Sequence, residues 1–309
     1  MAKVGINGLG RIGRAAMKVI LETPGLEFVG ANDIAPLENI AYLIKYDTAY
    51  GRYDKSVEVE DGKLVIDGQA YPYFSERDPV NIPWDEVGAD IVIESTGFFR
   101  TQEAAAKHIE AGAKTVVISA PGKSSETPTV VHGVNTEDGM TQIFSCASCT
   151  TNCIAPVVEV MHRRFGVIKA IMTTIHAYTS TQAVVDAPSK SDFRRGRAAA
   201  ANFVPTSTGA AIATTKVVPE LAGKFDGVAV RAPIPVGSIA DIVFLLERDT
   251  TVEEVNQVFR EEAATDRYKD VMAVSDEPLV SSDIVGDPHG SVVDLGMTNV
   301  VDGNLVKVM

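Results

Sequence analysis

KVGINGLGRIGRAAMKVILE, residues 3–22, decides how the first half of this chain folds. KVGIN reads as a strand, and RIGRAAMKVILE has helical spacing, with Ile12, Ala16, Val19 and Ile20 expected on one face. Between them Gly8, Gly10 and Gly13 form a G-x-G-x-x-G. The first glycine permits a tight turn, the second lets a pyrophosphate approach the backbone, and the third lets helix and strand pack closely. The phosphates then lie at the positive end of the helix. Alone the pattern is weak, because a glycine-rich turn without a ligand also matches it. Here a second strand follows, EFVGAND (27–33), and Asp33 comes about 20 residues after Gly13, where a carboxylate accepts hydrogen bonds from an adenosine ribose. Asp33 would also repel a ribose 2′-phosphate, favouring NAD over NADP. Its alternative reading is a solvated turn aspartate.

The first half continues in the same alternation. ADIVIESTG (89–97) reads as a strand, Thr101 as the cap of the helix TQEAAAKHIEAGA, and KTVVISAP (114–121) as the next strand. That β-α-β order implies a parallel, doubly wound, Rossmann-type α/β sheet with ligands at the carboxyl ends of its strands. VEVEDGKLVIDGQAYPYF (57–74) reads as hairpins inserted in that scheme. The second half differs. A helical stretch after Cys149 leads to long β-rich runs, KAIMTTIHAYT (169–179) and 226–248, and then to TVEEVNQVFREEAA, where Thr251 and Glu254 match a capping box. The expected organisation is a nucleotide-binding domain over residues 1–148 and an α+β catalytic domain over 149–309. Between the β-rich runs lies 180–205, a long segment with few periodic signals, and loops of that length are functional or interfacial in most compact proteins.

Charge bounds the partners. Lys and Arg number 28 against 41 Asp and Glu, a formal net charge of -13, which disfavours general binding to nucleic acid or to an anionic membrane. Any anionic ligand then depends on local basic groups. The start has no basic-then-apolar leader, and no uninterrupted apolar stretch approaches the roughly 18 residues that cross a bilayer, so a cytoplasmic protein is expected. Three cysteines, all between positions 146 and 153, cannot frame a fold of this size with disulfides.

Those cysteines lie in SCASCTTNC (145–153). Cys149 meets the start of a helical pattern, where the macrodipole and unpaired backbone N–H groups favour a thiolate. Cys153 would lie one turn further on the same face. A small hydrophobic role is the plainer reading of any such cysteine. A metal cluster is poorly supported, because His108, His132, His162, His176 and His289 supply no second ligand pair of suitable spacing. His176, in TTIHAYT, reads equally as a structural strand histidine or as the base that a catalytic cysteine needs.

INGLGRIGR, GANDI, LIKYDTAYGRY, ESTGFF, VISAPGK, ASCTTNC, HAYTSTQ, PTSTGAA and VRAPIPVGS together resemble the phosphorylating glyceraldehyde-3-phosphate dehydrogenase family of glycolytic type. The motifs run in that family's order from residue 3 onward, and ASCTTNC is highly specific. The resemblance implies an oxidoreductase that uses NAD, with NADP possible, on glyceraldehyde 3-phosphate and inorganic phosphate, through a thioester on Cys149 with His176 as base and acid. It implies one anion site at Ser148, Thr150, Thr208 and Gly209, and another at Thr179, Thr181, Arg195 and Arg231. Whether Arg194 or Arg195 points inward stays open. Cofactor positions by the same resemblance are Gly8, Gly10, Arg11 and Ile12 at the turn, Asn32 and Asp33 at the ribose, Arg77 toward the adenine, and Thr96 and Ser119 at strand ends. A homotetramer is implied, with 180–205 at a subunit interface. Pro188 agrees with the NAD-using type, whereas Ala187 is less typical of it. No metal, specific nucleic acid or membrane is expected.

The chain departs from the family pattern at two places. Cys146 stands where asparagine is common, so oxidised Cys149 could be captured by Cys146 or Cys153. The family also continues past the point matching Met309 with a strand and a helix carrying an asparagine for the nicotinamide carboxamide, so either this chain is a fragment of a longer protein or the protein lacks that clamp. Competing readings are an NADP-preferring or erythrose-4-phosphate-oxidising relative, and a non-catalytic dinucleotide-binding protein.

Overall fold

The computed structural model describes residues 1–136, 140–189 and 192–309; Lys190 and Ser191 of the expected 180–205 loop lie outside them. The chain divides into two compact units, one formed by Met1–Val130 with the segment ending at Ala147, the other by Ser148–Met309 with Val131–Thr136.

In the first unit β1 (Ala2–Asn7), α1 (Arg11–Glu22), β2 (Leu26–Asn32) and α2 (Leu37–Lys45) follow one another, and β3 (Tyr73–Phe74), β4 (Ile91–Glu94), α3 (Gln102–Glu110), β5 (Thr115–Ile118) and β6 (Ile143–Ser145) complete the frame. The sheet runs β6-β5-β4-β1-β2-β3 with every pairing parallel. That order reverses direction between β1 and β4, which is where a doubly wound sheet opens a crevice at its carboxyl edge. Such strands are covered on both faces, so they read as apolar runs rather than as alternating ones. Ile6, Leu9, Met17 and Ile44 are fully buried within one such cluster. Thr101 caps α3 as expected, its hydroxyl accepting from the Ala104 N–H.

The structure corrects the sequence reading of α1. Its inward residues are Gly13, Met17 and Ile20, while Ile12 and Val19 are 56% and 61% exposed. The cause is steric. A Cβ on Gly13 would stand 1.9 Å from the Gly8 carbonyl oxygen, so the helix seats its glycine, not an isoleucine, against the turn. The segment 57–74 is also corrected in part. Val57–Glu60, Lys63–Ile66 and Gln69–Tyr71 form antiparallel pairs, and Asp61 and Gly62 supply the positive φ angles of a two-residue hairpin turn. Tyr73 and Phe74, however, leave the hairpins and pair with β2 as the edge strand β3.

In the second unit α4 (Cys149–Phe165) leads into β7 (Val167–Ala177), followed by β8 (Val204–Ser207), β9 (Phe225–Ala232), β10 (Ser238–Leu246), α5 (Val252–Ala263), β11 (Asn299–Val301) and β12 (Leu305–Val308). The sheet order is β8-β9-β7-β10-β12-β11. The run 226–248 is thus two strands that flank β7 instead of pairing with each other, β9 parallel to it and β10 antiparallel. At α5 only half of the expected capping box forms: Thr251 accepts from the Glu254 N–H, but the Glu254 carboxylate turns to Arg248 and the Thr250 hydroxyl. The charged pair there competes successfully with the backbone. Among the described residues no helix is long and apolar enough to cross a membrane.

Gly13→Ala is expected to cost about 1–3 kcal/mol or more, since overpacking against a backbone carbonyl cannot be relieved by a rotamer change. Thermal unfolding by circular dichroism checks this, and an unchanged melting temperature would refute the steric account of α1.

Candidate active site

Cys149 owes its position to the cap that precedes it. Ser148, in extended conformation, accepts the Thr151 N–H at 3.1 Å and so starts α4 with Cys149 as its first residue. The thiol is exposed, while Thr150 beside it is buried. His176 lies near the carboxyl end of β7, in register with Arg231 of β9 and Ser238 of β10. Its Nε2 is 3.3 Å from Cys149 Sγ. That contact draws the thiol below its ordinary pKa; desolvation opposes the shift, and the His176 charge and Thr150, through its N–H and hydroxyl, reinforce it. Cys153, one turn on and partly buried, is pushed the other way, up to about 11, by burial and by the neighbouring Cys149 charge. One helix therefore carries a thiol of lowered pKa and one of raised pKa.

The far side of the imidazole meets one acceptor and one donor. Nδ1 is 2.8 Å from the Ala177 carbonyl oxygen and 2.8 Å from Arg231 Nη1. A carbonyl only accepts and a guanidinium only donates, so Nδ1 can serve one of them. With Nδ1–H donating to Ala177, which Arg231 also reaches at 2.9 Å, Nε2 keeps its lone pair toward the thiol. That is the form a base needs.

Cations gather beside this pair. Arg231 is half-buried, and its pKa is lowered first by desolvation and then by the charge of Arg195. Arg195 is held by a relay in which its Nε donates to Thr206 Oγ1 at 2.9 Å and that hydroxyl donates to Asp192 at 2.7 Å. Two guanidiniums that repel each other in a partly desolvated setting favour an anion between them. Thr179 and Thr181 face each other, hydroxyl to hydroxyl, at 2.9 Å. Thr208 accepts from the Ala210 N–H, and Gly209 is exposed. Among the described residues no three His, Cys, Asp or Glu side chains are grouped to hold a metal.

The first unit presents its own ends of strands. Asp33 accepts the Leu9 N–H at 2.7 Å and the Ala35 N–H at 2.9 Å, which places its carboxylate beside the glycine turn. Gly10 has no atom within 4 Å of where a Cβ would stand, and α1 starts without a side-chain cap, so the turn offers open backbone donors. A dinucleotide pyrophosphate fits that open turn, and a ribose fits beside Asp33.

Comparison with known proteins shows the family. Residues 2–102 match the family model described as glyceraldehyde 3-phosphate dehydrogenase, NAD binding domain, and residues 148–309 match its C-terminal domain. The chain belongs to the glyceraldehyde-3-phosphate dehydrogenase family. It is 47% identical over 307 residues to the glyceraldehyde-3-phosphate dehydrogenase of Clostridium acetobutylicum, covering 98% of this chain and 90% of that protein. It is 48% identical over 310 residues to that of Geobacillus stearothermophilus, covering 99% and 92%. With that of Zymomonas mobilis it shares 47% identity over 311 residues, again covering 99% and 92%.

Against this family frame the residues singled out from sequence sort into several groups. Cys149, His176, Arg195 and Arg231 come together, and Arg194 is exposed, so Arg195 is the inward arginine. Ser148, half-buried, accepts the Thr151 N–H and shares a hydrogen bond with the Thr151 hydroxyl, and Thr150 interacts with the thiol. Asn32 is corrected more sharply. It is buried, its Nδ2 bonded to Asn7 and to Glu76 O and its Oδ1 to the Glu76 N–H, so its side chain organises the site rather than reaching a ribose. Arg11 pairs with Asp47, Ile12 and Arg77 are exposed, Thr96 bonds Glu94, and the Ser119 N–H bonds Glu94 O. Sequence reasoning missed Asn7, Glu94, His108, Asp192 and Thr206. The carboxylate ending the apolar strand IVIE was a usable signal, since charge seldom enters a buried strand unpaired.

Alkylation by iodoacetamide across pH tests the activated thiol. Only thiolate reacts, so a lowered pKa keeps Cys149 reactive well below the roughly 8.5 of an ordinary thiol, and reactivity falls as pH drops through the lowered value. His176→Asn should move that midpoint upward, to the ordinary value or beyond. Equal midpoints in the two proteins would contradict the assignment.

Proposed function

We propose that this chain oxidises D-glyceraldehyde 3-phosphate to 1,3-bisphosphoglycerate with NAD and inorganic phosphate, Cys149 carrying the acyl group. The observation that carries the reading is the 3.3 Å contact between an exposed thiol at a helix start and His176 Nε2, beside two arginines. Family membership supports the substrate, and the NAD binding domain match supports the cofactor.

The thiolate attacks the aldehyde carbon, forming a C–S bond and a thiohemiacetal. Imidazolium at Nε2 donates to the developing oxyanion and then, as imidazole, takes the hydroxyl proton as hydride leaves the carbon. The acceptor for that hydride would be supplied by NAD when bound. Phosphate then attacks the thioester, the C–S bond breaks, and Cys149 returns as thiolate stabilised by His176. Arg195 and Arg231, with Thr179 and Thr181, bind one anionic group; Thr208 and Gly209, with backbone at Ser148 and Thr150, bind the other. Arg231 also acts on the base, since it shares the Ala177 carbonyl with Nδ1. The glycine turn at Gly8 and Gly10, with Arg11, Ile12, Asp33, Arg77, Thr96 and Ser119, would hold the cofactor, and Asn32 would support it from beneath.

We assign the chain to a cytoplasmic homotetramer. Val184, Val185, Phe193 and Phe203 in the 180–205 loop are between 71% and 87% exposed, more apolar surface than one loop commonly leaves in water, and a subunit interface would cover it. In a preparation whose light-scattering mass equals four chains, NAD reduction followed by absorbance should require both the aldehyde and phosphate. Cys149→Ser should lower turnover by about a thousandfold or more, the scale seen on removing a covalent nucleophile. Turnover retained in that variant would sink the covalent mechanism.

A further inference from the structure

Beneath the glycine turn of the first unit lies a buried polar network built on Glu94. Its side chain has no solvent exposure, nor has that of His108. Four donors converge on this one carboxylate. Oε1 accepts the Thr96 N–H at 2.8 Å and the Thr96 hydroxyl; Oε2 accepts Asn7 Nδ2 at 2.6 Å and His108 Nε2 at 3.1 Å. The histidine has no freedom to do otherwise, because Trp84 Nε1–H donates to its Nδ1 at 3.0 Å, which leaves the proton on Nε2.

The network reaches outward to the elements that hold a dinucleotide. Asn7, oriented by Glu94, accepts Asn32 Nδ2 at 2.8 Å. Asn32 in turn clamps Glu76 through both its N–H and its carbonyl, fixing the loop before Arg77, and its own carbonyl accepts the Gly8 N–H. Thr96 follows β4, and its backbone nitrogen would stand 2.7 Å from a Cβ on Gly8, so the turn packs directly on the segment that Glu94 holds. The Ser119 N–H bonds the Glu94 carbonyl.

We propose that Glu94 is a positioning residue for the cofactor: a single buried acceptor that sets the glycine turn, the ribose-side strand end and the loop at residue 76 in mutual register. The ligand itself is not touched. Glutamine at 94 keeps the shape but places an amide donor against donors, on whichever side its nitrogen falls, and the Trp84 bond prevents His108 from changing tautomer to relieve it. The inference rests on the NAD reading above, and the parent chain separates the two: a parent that binds no NAD fails that reading, whereas a Glu94→Gln protein that binds NAD as the parent does fails this one.

The experiment is a titration of NAD into the full chain and its variants, with steady-state kinetics. For Glu94→Gln, the dissociation constant and KM for NAD are expected to rise about ten- to a hundredfold, the effect of losing a hydrogen bond to a charged group. Both kcat at saturating NAD and KM for the aldehyde should stay within about twofold. Emission of Trp84, the only tryptophan in the chain, should remain that of a buried indole, showing that the unit is folded. Val92→Ala, a cavity in the same strand away from the network, should lower the melting temperature without weakening NAD binding. Should Glu94→Gln not fold, the exchange Asn7→Asp with Glu94→Gln moves the carboxylate one residue across the same hydrogen bond, where His108 Nε2–H, 3.4 Å from Nδ2 of Asn7, donates to the oxygen that replaces it, and the variant is expected to bind NAD within about threefold of the parent. Unchanged NAD affinity in folded Glu94→Gln, equal weakening in Val92→Ala, or an exchange variant that folds yet binds NAD more than about tenfold weaker would each overturn the proposal.

Discussion

A thiolate is unstable beside apolar surface unless positive charge or donors face it, and the second unit is arranged around meeting that condition at Cys149. Ser148 starts the helix so that the thiol stands at its positive end, with Thr150 beside it. The pairing of β7 with β9 sets His176 level with Arg231, which is why an imidazole and a guanidinium share the Ala177 carbonyl. Shift that register by one residue and every side chain on β7 changes face. The sheet is therefore part of the chemistry, because it decides which nitrogen of His176 meets sulfur.

The same cations explain how an acidic chain handles anions. A formal charge of -13 repels phosphates at long range, but ionic screening confines that effect to about 8 Å at physiological salt. Within that distance Arg195 and Arg231 are the near cations, and burial first, then the charge of Arg195, lowers the pKa of Arg231. Asp192 and Thr206 hold Arg195 in place, so the repulsion is not relieved by its swinging away.

Much of this was legible in the sequence, for a physical reason. Strand, glycine turn and helix are local patterns, so the parallel sheet and the turn at Gly8 and Gly10 could be read from residues 3–33. The place of Cys149 at a helix start was readable because the helical pattern after it is also local, whereas the Ser148 cap was not read. What could not be read depended on rotation or on distant partners. Ile12 and Val19 satisfy helical spacing yet face outward, because the contact of Gly13 with Gly8 sets the angle of the helix. Arg194 and Arg195 are equivalent letters until Thr206, from β8, chooses between them. Asn32 looks like a ligand contact by position, but Asn7 and Glu76, which claim its amide, lie far away in sequence. Buried polar networks of this kind escape pattern reading, since each member is an ordinary letter until the fold brings its partners together.

The central claim is that the acyl group rests on Cys149 and on no other thiol. Mixing the chain with glyceraldehyde 3-phosphate and NAD without phosphate, quenching in acid and mapping peptides by mass spectrometry tests it directly. The account predicts one phosphoglyceryl adduct, on the peptide carrying Cys149 and localised to that sulfur by fragmentation, which disappears when phosphate is added before the quench. An adduct on Cys146 or Cys153, or reduced cofactor formed with no acylated cysteine, would contradict it.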